Sequence, residues 1–136
     1  MNPGRIARRR PRWDEQQFAV SLDQVQRGEF GFGADNLRPE HLQWLGEVLG
    51  PLLPMTWGGV KGLRRGNGRP LHSDCNYDDS TPALQQLVEG LQYDDGLQDL
   101  VKYRLFKFRV TERARLWGFL DDGVFFPLWW DPEHRL

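Results

Sequence analysis

The sequence predicts an α+β fold, with a small antiparallel sheet that ends in a C-terminal three-strand meander and with helices packed on one face. Residues 101–130 are rich in β-branched and aromatic residues, and Asp121-Asp122-Gly123 interrupts them with a hairpin turn signal. The middle of the chain carries apolar residues at helical spacing after helix-start signals. Helices followed by a run of strands are typical of the α+β class.

Length and composition indicate one globular domain. The chain has 136 residues, of which 39% are hydrophobic and 27% charged. We expect residues 13–136 to form this domain and residues 1–12 to be a flexible basic arm, because Pro3, Gly4 and Pro11 break regular structure. No run of about 18 apolar residues occurs that could span a membrane. Cys75 is the single cysteine, so no internal disulfide can form, and we expect a cytoplasmic protein with no membrane partner.

Three helices are predicted in the middle of the chain. The first begins at Pro39, which suits the first helical position. The second is weak because it contains two glycines, and Thr56 is its expected N-cap. The third follows Ser80 or Thr81 as N-cap. Residues 64–79, between the second and third helices, are predicted to be a long polar loop.

Strands are predicted at 18–22, 101–110, 114–120 and 124–130. The alternation in the second of these changes phase at Leu105-Phe106, which suggests a β-bulge. Pro127 cannot donate a ladder hydrogen bond, so its strand lies at an edge or contains a bulge. Trp129 and Trp130 are neighbours, so they should point to opposite faces of the sheet.

Charge is distributed unevenly although the net charge is only −1. Residues 71–100 contain seven acidic residues and no Lys or Arg. Basic residues cluster in three other places, namely the arm (Arg5, Arg8, Arg9, Arg10, Arg12), the middle (Lys61, Arg64, Arg65, Arg69) and the first two meander strands (Lys102, Arg104, Lys107, Arg109, Arg113, Arg115). Because a polyanion responds to the local field, this pattern is compatible with nucleic-acid binding.

The C-terminal strands carry a recognisable arrangement. Lys107-Phe108-Arg109 gives a K-x-R pattern on one strand, Arg115 begins the next, and His134-Arg135 follows the last. Over residues 80–136 the chain resembles the RelE/ParE superfamily of small bacterial toxins, with RelE/HigB-type mRNA interferases as its nuclease members. The first 80 residues match that family only in the order of their elements.

The resemblance implies an endoribonuclease that cleaves mRNA on the ribosome without a metal or cofactor and is neutralised by an antitoxin. It implies catalytic roles for Lys107 and Arg109 as a basic pair, Arg115 as phosphate ligand, and His134 with Arg135 as a terminal pair. His134 is the candidate general acid or base because an unperturbed imidazole titrates near neutrality. Further RNA contacts are expected from the remaining cations Lys61, Arg64, Arg65, Lys102, Arg104 and Arg113.

Two other functions stay open at this stage. The carboxylates of Asp131 and Glu133 lie beside the expected site and would repel RNA, which favours a RelE-fold adaptor that binds a protein or RNA without catalysis. The other open function is that of a small interaction protein, whose acidic segment and basic sheet bind different partners. His72 and Cys75 have the spacing of a zinc half-site, but no second pair completes it, so we expect no metal.

Overall fold

A computed structural model describes residues 13–64, 68–91 and 95–136, so the basic arm and Arg65 lie outside it. Five strands form one sheet in the order β1-β5-β4-β3-β2. The strands are β1 (Ala19–Val20), β2 (His72–Asp74), β3 (Leu105–Arg109), β4 (Arg115–Asp121) and β5 (Val124–Asp131). The helices are α1 (Pro39–Leu49), α2 (Trp57–Lys61), α3 (Pro82–Glu89) and α4 (Asp95–Arg104). The α+β class is confirmed.

The sheet is mixed rather than antiparallel throughout. Strands β3, β4 and β5 form the predicted antiparallel meander, and Asp122 and Gly123 take positive φ angles of 51° and 80° in the tight turn between β4 and β5. Strand β1 pairs in parallel with β5. Strand β2 lies inside the stretch predicted to be a loop, and it pairs with β3. Its three residues are too few and too polar for an alternating pattern to reveal them.

Helices cover both faces of the sheet, so the prediction of helices on one face was wrong. Phe106 and Phe108 of β3 belong to a core under α1 and α2, whereas Leu105 belongs to a second core under α3 and α4. Adjacent strand residues point to opposite faces. Because Leu105 and Phe106 are both apolar and almost completely buried, each face needs its own cover.

The strand predicted at 101–110 begins only at Leu105, and residues 101–104 form the last turn of α4. Leu97 and Val101, four positions apart, bury one helical face in the second core. The change of phase at Leu105 is therefore the junction between helix and strand, and the β-bulge predicted there was wrong. Lys102 and Arg104 consequently lie on a helix and not on the meander strand predicted for them.

The signals for helix starts are confirmed. Pro39 is the first residue of α1. The Thr56 hydroxyl accepts the backbone N–H of Gly59 at 3.3 Å, and the Thr81 hydroxyl accepts that of Leu84 at 3.2 Å. Each bond satisfies an N–H that the first helical turn leaves without a partner. The two threonines thus fix where α2 and α3 begin against the sheet.

A β-bulge lies in β5, as the position of Pro127 predicts. Trp117 pairs with Trp129 and Gly118 with Pro127, so Leu128 is an extra residue on β5. Trp129 packs in the second core and Trp130 in the first, which confirms that the two tryptophans point to opposite faces. After the bulge, Asp131 returns to the face of Arg115, its partner across the strands.

Candidate functional site

A group of cations from β3 and β4 lies at one end of the sheet, on the face of the second core. Lys107 and Arg109 alternate with the first-core residues of β3, and Arg109 pairs in register with Arg115 at the start of β4. The positive charges of Arg115, Lys107 and Arg109 all act on His134. The structure thus brings together four of the five predicted catalytic residues, which we call the basic cluster (Lys107, Arg109, Arg115 and His134).

Lys107 lies over an aromatic ring that the sequence did not single out. Its Nζ is 4.8 Å from the centre of the Trp117 ring, directly across the β3–β4 ladder. Partial burial lowers the pKa of Lys107, and Arg109 and Arg115 act in the same direction, whereas Cys75 and Asp131 oppose them. The strand register of the predicted meander was the signal that could have identified Trp117.

Arg115 is almost completely buried and holds the turn between β3 and β4. Its Nη1 donates to the carbonyl oxygens of Thr111 and Glu112 at 3.0 Å each and of Ala114 at 3.1 Å. Three backbone carbonyl groups thus share one nitrogen atom of the guanidinium group. The side chain therefore has a structural role in addition to the phosphate-binding role that the resemblance implies.

Asp131 is completely buried and holds the C-terminal segment. Its Oδ1 accepts the backbone N–H of Arg135 at 2.9 Å, and its Oδ2 accepts that of Leu136 at 2.8 Å. A carboxylate that accepts backbone N–H groups forms strong, charge-assisted hydrogen bonds. Asp131 is therefore part of the scaffold of the site and does not stand on its surface.

His134 is exposed and lies between Asp131 and the tail that Asp131 holds. Its φ of 56° is in the left-handed region. Partial desolvation lowers the pKa of His134, and the charges of Arg115 and Lys107 lower it further, although Asp131 opposes them. The imidazole is therefore neutral at pH 7 and can accept a proton there.

Arg135 is directed away from the cluster. Its Nη1 forms an ion pair with Glu29 Oε1 at 2.9 Å, and its guanidinium lies 4.6 Å from the centre of the Phe30 ring. These contacts fasten the C-terminal segment to the loop between β1 and α1. The structure therefore does not place Arg135 with the basic cluster, and its catalytic role stays a prediction.

The predicted RNA-binding cations are dispersed. Arg113 lies in the β3–β4 turn near the basic cluster and pairs with Glu133 at 3.5 Å. Lys61 and Arg64 act on His72, which stacks on Phe106 on the opposite face of the sheet. Two further cations belong to α4, where Lys102 pairs with Glu89 at 3.7 Å and Arg104 lines a cavity at the other end of the sheet. Arg65 lies outside the described residues.

His72 and Cys75 do not form a half-site for zinc. His72 stacks on Phe106 in the first core, whereas Cys75 packs against the second. Across residues 13–64, 68–91 and 95–136, no group of three or more His, Cys, Asp or Glu side chains is placed to hold a metal ion. Helices long and apolar enough to cross a membrane are likewise lacking in this part of the chain.

The chain matches no protein-family model, no curated protein and no solved structure.

Proposed function

We propose that the protein is a toxin-type endoribonuclease that cleaves mRNA without a metal, acts on the ribosome in the cytoplasm and is neutralised by an antitoxin. The observation that carries this proposal is that Lys107, Arg109 and Arg115 lie on one face at one end of the sheet. Arg115 pairs there with Asp131, three residues before His134. Cations fixed in a partly desolvated site stabilise the negative charge that develops on a phosphorane-like transition state. They also attract the phosphate backbone of RNA.

The proposed reaction is the attack of a ribose 2′-oxygen on the adjacent phosphorus. His134 takes the proton of the 2′-hydroxyl group, because its lowered pKa keeps it neutral at pH 7. The new P–O bond forms as the bond to the 5′-oxygen breaks. Lys107 donates a proton to that leaving oxygen, for which its lowered pKa is favourable. The products are a 2′,3′-cyclic phosphate and a free 5′-hydroxyl group.

The proposal is tested with variants that remove one cation each without disturbing the turn that Arg115 holds. Lys107→Gln and Arg109→Gln are expressed from an inducible promoter, and cellular mRNA is analysed by primer extension. The wild type should arrest growth and produce discrete cleavages, whereas each variant should cleave at least about 100-fold more slowly, the usual order for loss of one transition-state donor or acid. Arg27→Gln, at an exposed arginine outside the cluster, is the matched control and should behave like the wild type.

The chemistry of the products tests the mechanism separately. Cleavage by the 2′-oxygen requires fragments with 2′,3′-cyclic phosphate ends, and a substrate with a 2′-deoxyribose at the cleaved position should resist. Cleavage of the deoxy substrate at the same rate would contradict the mechanism. Harmless expression of a folded wild-type protein, with no cleavage on purified ribosomes, would contradict the proposed activity.

A non-catalytic RelE-fold adaptor is the second candidate, and one observation favours it. Arg115 Nη1 is engaged by three backbone carbonyl groups, and the buried Asp131 lies opposite Arg115 in the ladder. Burial and backbone contacts of this kind favour a scaffold role for Arg115 over a role in catalysis, as expected for a rigid basic surface that only binds. An adaptor should bind RNA or an acidic protein with an affinity that falls steeply with salt, but should leave RNA uncut.

A further inference from the structure

A continuous groove runs along α4 at the end of the sheet opposite the basic cluster. It consists of two adjoining cavities of about 970 and 560 Å³, which share Cys75, Asp99 and Tyr103. The larger cavity reaches the end of β4 at Asp121. The smaller continues to Tyr77. We call this the α4 groove.

The α4 groove is acidic and carries an exposed aromatic ring. Five aspartates line it (Asp74, Asp78, Asp99, Asp121 and Asp122) against two cations, Lys102 and Arg104. The Lys102 ammonium group already pairs with Glu89, 3.7 Å away. Asp99 and Asp121 form no ion pair within the described part of the chain. Tyr103 is 86% exposed, the largest fraction among the large hydrophobic side chains described.

These features together match an arginine-rich segment. Carboxylates bind guanidinium groups through paired hydrogen bonds. The face of a tyrosine ring attracts the same group by cation–π interaction. An extended segment several residues long fits a groove made of two joined cavities better than a small ligand does.

The sequence of the chain contains such a segment. Residues 5–12 contain five arginines. Gln16, four residues farther on, lines the larger cavity, and its carbonyl oxygen is fixed by the backbone N–H of Trp57 at 2.9 Å. Eight extended residues reach about 26–29 Å, whereas the ten residues of α4 span about 15 Å. Because tethering raises the effective concentration to the millimolar range, weak contacts suffice for intramolecular binding.

We propose that residues 5–12 bind within the α4 groove of their own chain through their arginines. This binding would hold the arm at the end of the sheet opposite the basic cluster. A polyanion would then compete with the aspartates for the arm. The proposal does not rest on the proposed nuclease activity, since it uses none of the cluster residues.

The test uses the full ¹⁵N-labelled chain and the triple variant R8Q/R9Q/R10Q. We expect the amide chemical shifts of Cys75, Asp99, Tyr103 and Asp121 to differ between the triple variant and the wild type. The same amide signals of the wild type should also move when the salt concentration rises from about 0.05 to about 0.5 M, because screening weakens exposed ion pairs. The reciprocal variant D99N/D121N should shift the amides of residues 5–12. D23N/D35N, at two exposed aspartates outside the groove, is the matched control and should leave the arm unchanged.

Alkylation of Cys75 by neutral N-ethylmaleimide gives a second measurement, because this single cysteine lines both cavities. Removal of the three arginines should raise the alkylation rate about threefold or more, as an occupied groove excludes the reagent for most of the time. Shift changes confined to residues 5–16, with an unchanged alkylation rate, would overturn the proposal. Changes that grow with protein concentration would also overturn it, since they would show that the arm binds a second copy.

Discussion

The buried carboxylate of Asp131 accepts the backbone N–H of Leu136, the last residue of the chain, over 2.8 Å. A second bond from the same carboxylate to the N–H of Arg135 closes a short loop that contains His134. His134 therefore occupies a fixed position although its side chain is exposed. The geometry of the proposed base thus depends on an acidic residue that touches no substrate.

Asp131→Asn should lower both stability and activity. The amide keeps one acceptor oxygen but places an NH₂ group against a backbone N–H, so a buried donor loses its partner. We expect a loss of about 1–3 kcal/mol in the free energy of unfolding, measured with urea. Glu133→Gln is the matched control and should stay within about 0.5 kcal/mol, because Glu133 is exposed and its pair with Arg113 is a surface contact. Equal stability of the two variants would contradict the role assigned to Asp131.

Acidification should destabilise the protein partly through His134. Its pKa is lower in the folded state than the ordinary value of 6.5, so the unfolded chain binds the proton more readily. The contribution of His134 to the free energy of unfolding is therefore complete above about pH 6.5. It is lost as the pH falls toward the pKa of His134 in the folded state. His72 acts in the same direction because its pKa is also lowered, chiefly by burial.

His134→Asn isolates the contribution of His134, since asparagine tolerates a positive φ angle. The loss of unfolding free energy between pH 7.5 and pH 5, measured by urea titration at each pH, should be smaller in this variant than in the wild type. His72→Asn is the companion variant. It should remove the part of this pH-dependent loss of unfolding free energy that comes from His72. An identical pH dependence in the wild type and His134→Asn would contradict the lowered pKa.

Arg115→Ala should unfold the β3–β4 turn more easily whether or not the protein is a nuclease. The substitution leaves the carbonyl groups of Thr111, Glu112 and Ala114 without their shared donor, and we expect a loss of about 3 kcal/mol. Arg115→Lys keeps the charge with fewer donors and should lose less. Thermal and urea unfolding measure both variants. A stable but inactive Arg115→Ala protein would show that phosphate binding is the main role of Arg115.

Gly118→Ala should disrupt the bulge between β4 and β5. A Cβ atom at this position would overlap the carbonyl oxygen of Phe126, a backbone atom that cannot turn away. We expect a loss of about 3 kcal/mol, at the upper end for overpacking. Gly46→Ala in α1 is the matched control, because its Cβ meets open space and alanine favours the helix by about 1 kcal/mol. Similar melting temperatures for the two variants would contradict the tight contact.

Local signals in the sequence predicted those parts of the fold that depend on few residues. Thr81 caps α3 and Gly123 permits the last hairpin because each effect acts within one turn of chain. Helix α4 was missed because residues 101–104 have the composition of a strand, and only packing of Val101 in the second core makes them helical. Strand β2 was missed for a similar reason, since β3 supplies the partner that a three-residue polar stretch requires.

The site was predictable to the extent that strand parity and the resemblance specify it. Alternation places Lys107 and Arg109 on one face, and the structure confirms this. The contacts that anchor Arg115 and Asp131 depend on the conformations of a turn and of the C-terminal segment. No spacing in the sequence encodes either conformation, so both residues looked like surface charges.

The extra residue Leu128 makes the position of a length change in β5 decisive. Leu128 and Trp129 both pack in the second core, so loss of Leu128 alone would restore regular alternation and leave Trp130 and Asp131 on their present faces. Loss of one residue between Val124 and Pro127, with the bulge kept, would instead bring Trp130 to the side of Arg115 and Asp131 to the side of α1. A buried carboxylate would then face an apolar core, and an indole would face the cations.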